Sequence, residues 1–193
     1  GGVYKAGNTT FRDSHTPPTR FLSTADTLVH SSNVCIYKIA ERLGKQGLYD
    51  GLQKYGLGGG TPTLGFAGEA RGYIADPKSW PQIQFANVAF GQGFVTNGIE
   101  LVQAFGAIAN GGNLMQPYVV SKVESATGAT IVSHSSKIVR RVMSPETALS
   151  MRKMLQKVVD DGVKNAAMDE YTSGGKTGTA EKVDPVTRAY SAT

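Results

Sequence analysis

TSGGKTGTAEK, residues 172–182, admits two opposed chemistries. Gly175-Lys176-Thr177 could cradle a phosphate. Lys176-Thr177-Gly178 followed by Thr179 could instead hold a carboxylate beside a reacting carbonyl. A phosphate loop needs a glycine five residues before Gly175, a buried strand ahead of it and a helix behind it, so that the helix N-terminus meets the anion. Position 170 is Glu170, the preceding Met168-Asp169-Glu170-Tyr171 is no buried strand, and Glu181-Lys182-Val183-Asp184-Pro185 is no helix. The phosphate reading fails on all three counts, and the segment is expected to be a β-strand containing 176–181.

The rest of the 193 residues must then supply an acyl-transfer site. A chain of this length buries a real core. Twenty basic against 15 acidic residues give a net charge of +5 and a pI near 9.3. No run of four Lys/Arg occurs, whereas a nucleic-acid face concentrates its charge, so no nucleic-acid partner is expected. The single Cys35 forms no internal disulfide, and its apolar setting Val34-Cys35-Ile36-Tyr37 suits a buried thiol. His15, His30 and His134 show no metal-ligand spacing, so neither metal nor cofactor is expected. Apolar runs stay below the roughly 18 residues a membrane helix needs.

Patterning predicts a mixed α and β chain. Residues 1–23 read as loop with one short strand. A helix is expected from Thr24, capped by Thr24 itself, breaking at 30–33 and resuming over 34–43 until Gly44. Another follows over 48–55. Residues 61–98, dense in Gly and Pro, read mostly as loop. A helix over 99–109 carries Leu101, Val102, Phe105, Ile108 and Ala109 on one apolar face, and Phe90, Phe94 and Phe105 read as core. Strands are expected at 118–123, 130–133 and 138–142, the first two joined by a turn at 126–129. Ser144-Pro145-Glu146 opens a last helix with Met151, Met154, Leu155, Val158 and Val159 inward.

Lys-Thr-Gly is one of three short motifs of penicillin-binding proteins and class A β-lactamases; the second, Ser-x-Asn, stands here as Ser31-Ser32-Asn33. Either tripeptide alone is weak, since Asn33 also suits a helix cap and Lys176 an exposed edge lysine. With their surroundings they resemble the transpeptidase domain of class B penicillin-binding proteins. LVHSSNVCIYKIAERLG resembles the family's Ser-x-Asn helix pair, and GFAGEARGYIADPKSW its Gly-Glu loop. FGQGFVTNGIELVQAFGAIANGG resembles its Phe-Gly-Gln-Gly segment and following helix, and SGGKTGTAEK its Lys-Thr-Gly strand. Residues 94–98, Phe-Val-Thr-Asn-Gly, depart from the family's usual Thr-Pro.

The resemblance implies an α+β, partial penicillin-binding/serine β-lactamase-like fold, a helical region with part of an antiparallel sheet. Residues 1–193 would be part of a single transpeptidase domain, truncated at both ends. It implies that Ser31 relays a proton to the leaving amine and Asn33 hydrogen-bonds the acyl chain's amide. Lys176 orients the Ser31 hydroxyl and attracts an anionic terminus. Thr177 and Thr179 donate to the terminal carboxylate, the Thr179 N–H is half of an oxyanion hole, and Gly178 lets substrate lie against the strand.

The nucleophile motif Ser-x-x-Lys has two literal matches. Ser173-Gly174-Gly175-Lys176 overlaps Lys-Thr-Gly, and Ser150-Met151-Arg152-Lys153 lies on a polar helix margin after Ser-x-Asn, against the family's order. The attacking serine is therefore expected outside these residues, and the fragment to be inactive alone. The implied parent is a serine D,D-transpeptidase binding peptidoglycan stem peptides and β-lactams, on the extracytoplasmic face of the inner membrane. Its membrane anchor would be N-terminal and absent here, with divisome or elongasome proteins as partners. The alternatives are a D,D-carboxypeptidase, a β-lactam sensor or β-lactamase of the same fold, or a non-catalytic cell-wall peptide-binding module.

Overall fold

Residues 1–23, expected to be loop with one strand, contain an antiparallel hairpin. β1 (Val3–Ala6) pairs β2 (Thr9–Arg12) across Gly7-Asn8, with Tyr4 opposite Phe11. The signal was the alternation of Tyr4 and Ala6 on one side of that turn with Thr9 and Phe11 on the other, which puts both aromatics on one face. The computed structural model describes residues 2–15, 21–60, 64 and 66–180. They fall into two units: Gly1–Leu48, Ala75–Phe94 and Lys153–Thr193 form the first, Tyr49–Ile74 and Val95–Arg152 the second.

In the first unit, α1 (Thr24–Val29) begins at the residue predicted as its cap, and the cap lies one residue earlier. Ser23, with extended backbone, accepts the Asp26 N–H at 3.1 Å, whereas Thr24 is already helical. α2 (Asn33–Lys54) is interrupted at Gly44, whose φ of 72° and ψ of 171° are non-helical, at the predicted stop. The hairpin docks on α2 through aromatic rings. Tyr37, fully buried, lies 4.5 Å from Phe11, 5.7 Å from Tyr4 and 5.7 Å from Phe85, centroid to centroid, and Trp80 stacks on Phe85. The Tyr37 hydroxyl donates to Glu41 and accepts from Gln82, so its burial leaves no unpaired polar group.

Phe85 and Trp80 belong to structure the sequence reading left as loop. A 3₁₀ turn (Pro77–Ser79) is capped by Asp76, and α3 (Gln82–Ala89) follows with Phe85, Ala86 and Val88 buried. A two-turn helix flanked by Pro81 and Gly91 carries too few periods to stand out. Phe90 and Phe94 are half-buried. α5 (Pro145–Lys157), whose first N–H groups Ser144 caps as predicted, runs from the second unit into the first. It continues as a π turn (Val158–Gly162) that packs on α1, and Leu155, Val158 and Val159 are buried as expected.

In the second unit, α4 (Gly98–Ala109) is present but presents the opposite face. Glu100, Gln103, Ala104 and Ala107 are buried, while Leu101, Val102 and Phe105 are exposed. Hydrogen bonds outweigh the apolar stripe here. The Glu100 carboxylate accepts the N–H groups of Gly58, Gly59 and Gly72 at 3.0 Å each and the Thr96 hydroxyl at 2.7 Å, tying three loops to one buried group. Asn97, where the family's proline is missing, caps α4 through the Glu100 N–H at 2.9 Å.

Among its described residues, four strands complete this unit. β3 (Asn113–Met115), unpredicted, pairs antiparallel with β6 (Ile138–Arg141), and β4 (Lys122–Glu124) with β5 (Thr130–Ser133). Residues 118–121, expected to extend β4, are not in it. Ala107, Leu114 and Val142 form the core with Tyr55 and Met143 packed against them. Arg140 donates to the carbonyls of Gln53, Lys54 and Gly60, closing the C-terminal end of α2. Helices with antiparallel pairs make this the predicted α+β class. No helix among the described residues is long and apolar enough to cross a membrane.

Phe11→Ala should cost about 3–5 kcal/mol in equilibrium unfolding of the full-length protein, and Phe11→Leu distinctly less, because a ring packed on buried Tyr37 is lost. Glu100→Ala should cost about 3 kcal/mol or more, since it strands the buried N–H groups of Gly58 and Gly72. A cost within 0.5 kcal/mol of zero (the range of about ±0.5 typical of surface changes) would show that these loops are held otherwise.

Candidate active site

Ser31 ends α1 in an unusual way. It has φ of 50°, and among the described residues it is the only non-glycine with positive φ. Its N–H bonds the Leu28 carbonyl at 3.2 Å, and the Ser32 N–H bonds the Thr27 carbonyl at 3.1 Å. With His30 as the C-cap, these are the paired bonds of a Schellman ending, with serine where glycine normally sits. A left-handed non-glycine residue costs about 1–2 kcal/mol. Such strain clusters where a side chain is wanted for its chemistry. The Ser31 side chain is exposed.

Ser32, the middle residue of the motif, points the other way and is buried. Its hydroxyl donates to the Asp13 carboxylate (3.1 Å to each oxygen) and accepts the Cys35 N–H at 3.1 Å, capping α2. Asp13 also accepts the Val34 N–H at 2.9 Å. Asn33 is the first residue of α2, half-buried, and its side-chain N–H donates to the Arg12 carbonyl at 3.3 Å. The cap is thus Ser32, not Asn33. Cys35 is partly buried and free.

The Lys-Thr-Gly segment reaches Ser31 from the far end of the sequence. A Cβ on Gly174 would lie 3.2–3.3 Å from Leu155 and Gln156, so glycine lets the chain press onto the end of α5 where a side chain would force it a few tenths of an ångström away. The Gly175 N–H then bonds the Leu155 carbonyl at 3.2 Å. From there the Lys176 ammonium donates to the Ser31 hydroxyl at 2.5 Å, across 145 residues of sequence, and to the Thr177 hydroxyl and carbonyl at 2.8 and 3.3 Å. Partial burial lowers the Lys176 pKa from the ordinary lysine range.

The strand expected over 176–181 is not formed. Among the described residues 172–180 join no ladder, and Glu181 lies outside them. A strand exists only through its pairing, and no described segment runs alongside this one. Thr177, Gly178 and Thr179 are exposed, and a Cβ on Gly178 would meet no atom within 4 Å, so packing within the chain does not require that glycine. The structure therefore brings Ser31, Lys176 and Thr177 together. Among the described residues Asn33 and Thr179 are not hydrogen-bonded to them. Lys176 bonds Ser31 and not Ser173, and Ser150 is exposed on α5 and, among the described residues, makes no hydrogen bond to Lys153, so neither Ser-x-x-Lys match forms a hydrogen-bonded pair.

The chemistry open to this arrangement is proton transfer. With the ammonium donating to Ser31 Oγ, the serine's own proton is free to be given elsewhere. A lysine of lowered pKa can replace it. Sequence reasoning missed Asp13 and Ser32. Ser32 directly before a helix fits a cap, but Asp13 lies 19 residues from its partner and carries no local signal.

A family model described as the penicillin binding protein transpeptidase domain matches residues 2–193. Penicillin-binding protein PbpB of Mycolicibacterium smegmatis is 30% identical over 197 residues, covering 98% of this chain and 30% of that protein. Stage V sporulation protein D of Bacillus subtilis is 34% identical over 160 residues, 82% of this chain and 25% of that protein. The chain thus spans under a third of these relatives. Penicillin binding protein 3 from Mycobacterium tuberculosis, solved in complex with aztreonam, superposes with a TM-score of 0.90 at 29% identity, covering 99% of this chain and 44% of that one.

Ser31→Gly should raise stability by about 1 kcal/mol by relieving the left-handed backbone, read as a higher urea midpoint. A lower midpoint would remove the strain account. Lys176, followed by NMR of labelled lysine side chains, should titrate below the ~10.4 of ordinary lysine. Between its folded value and ~10.4 the unfolded chain binds more protons, so this residue's contribution to stability rises with pH across that interval. A Lys176 resonance titrating with the bulk would contradict it.

Proposed function

The chain belongs to the class B penicillin-binding protein transpeptidase-domain family, and on that premise we propose that it is part of a serine D,D-transpeptidase that cross-links peptidoglycan. Residues 1–193 are then part of one transpeptidase domain. The observation that carries the reading is the Lys176–Ser31 bond, made by two motif residues far apart in sequence on a strained serine.

In this reading a serine outside these residues, its hydroxyl proton taken by the lysine of the same Ser-x-x-Lys motif, attacks the penultimate D-Ala carbonyl of a stem peptide. The tetrahedral oxyanion collapses, the C–N bond breaks and D-Ala leaves as an amine, leaving an ester on the enzyme. Ser31 gives its proton to the departing nitrogen and is resupplied from Lys176, whose lowered pKa eases the transfer. The positive charge of Lys176 draws the terminal carboxylate, to which Thr177 and Thr179 donate hydroxyls. Asn33 holds the acyl chain's amide, and open Gly178 admits the peptide. The amine of a second stem peptide then attacks the ester, reversing the proton path. β-Lactams present the same carbonyl and carboxylate and remain attached. The site of action is the cell envelope, at the outer face of the cytoplasmic membrane, with division or elongation proteins as partners.

Fluorescent penicillin tests this on the full-length protein. Ser31→Ala and Lys176→Ala should each slow covalent labelling by about 10²-fold or more. A protein never labelled, with Lys176→Ala changing nothing, would overturn the enzyme reading. The 193 residues by themselves should take no label, and stoichiometric labelling would mean that the nucleophile lies among them.

A further inference from the structure

We propose that Asp13 is a positioning residue for the reaction, holding the Ser31 hydroxyl in register with Lys176 by pinning the two residues that follow the serine's turn. The inference rests on the reading that Ser31 acts in acyl transfer. Among the described residues Ser31 itself makes only the Leu28 bond and the Lys176 bond. Its left-handed backbone would relax if the next peptide were free to rotate. That peptide is not free. Ser32 is buried with its hydroxyl on both Asp13 oxygens, and the Val34 N–H lies on the same carboxylate at 2.9 Å.

A carboxylate suits the task better than any neutral group. It accepts a hydroxyl and an amide at once, and its charge sits at the N-terminus of α2, where the helix dipole favours an anion. Asp13 is in turn fixed. Its own N–H bonds the Gly2 carbonyl at 2.8 Å, closing the hairpin just beyond β2, and the hairpin is held on Tyr37 by Phe11. Arg12, one residue earlier, accepts from Asn33 through its carbonyl. The end of one hairpin therefore holds all three residues of the Ser-x-Asn turn, either directly or across one peptide bond. A group that acts through another by such a path sets geometry, and a displacement of about 1 Å at a reacting group can cost 10²-fold in rate.

The experiment uses the full-length protein with Asp13→Ala, Asp13→Asn and, as a control cap on another helix, Ser144→Ala. Labelling by fluorescent penicillin is normalised to the folded fraction, and hydrogen exchange is read in the peptide spanning 32–36. Asp13→Ala should slow labelling by about 10- to 100-fold per folded molecule and speed exchange at Val34 and Cys35. Asp13→Asn keeps an oxygen for the Val34 N–H and should recover most of the rate. Ser144→Ala should lower stability without changing labelling per folded molecule.

Labelling within about twofold of wild type in Asp13→Ala would make Asp13 a plain capping acceptor and overturn the proposal; should that variant not fold, Ser32→Ala, which removes the hydroxyl that Asp13 holds, takes its place, and labelling within about twofold of wild type there would do so. A wild-type protein that takes no label would instead remove the acyl-transfer reading. In that case unchanged exchange at 32–36 in Asp13→Ala would overturn the pinning as well, and faster exchange there would support it.

Discussion

The left-handed backbone of Ser31 is the constraint around which the first unit is arranged. A helix that must end on a non-glycine residue at φ of 50° gives up about 1–2 kcal/mol, and something else must hold it there. The two Schellman bonds hold it from the α1 side, and the capped start of α2 holds it from the other. The result is a hydroxyl presented outward between two helices, at hydrogen-bond distance from an ammonium that arrives from the C-terminal part of the sequence.

That arrangement is supported from a distance by ordinary packing. Tyr37 is buried among Tyr4, Phe11 and Phe85, which fixes the hairpin and α3 on α2. At the other end of the site, Gly174 lets the Lys-Thr-Gly segment touch the last turn of α5, and the buried Leu155 of that turn anchors it. The second unit is built on a different principle. Its organising group is a buried carboxylate, Glu100, whose four hydrogen bonds hold the glycine-rich loops, and they outweigh the apolar stripe on the opposite side of α4.

The family and the meeting of Ser31 with Lys176 were more legible than the architecture. Ser31 and Lys176 were readable because their motifs occur in order with extended flanking likeness, and Gly44, Ser144 and the 126–129 turn because their signals are local. The β1–β2 hairpin and α3 were missed because each is short, with one or two periods of pattern. The face of α4 was misread because periodicity counts apolar residues and cannot weigh a carboxylate whose partners lie 28 and 42 residues away.

The sequence by itself determined the family, since motifs in a fixed order with extended flanking likeness are enough to place the chain among penicillin binding protein transpeptidase domains. It also set the helix stops and turns, which depend on neighbours within four or five positions. Only the tertiary structure decided that Ser31 is strained, that Ser32 and Asp13 face inward to hold it, and that TSGGKTGTAEK reaches the serine by leaning on α5 rather than by pairing in a ladder. Backbone strain, burial and hydrogen bonds across 19 or 145 residues are properties of the folded chain, and no local pattern encodes them.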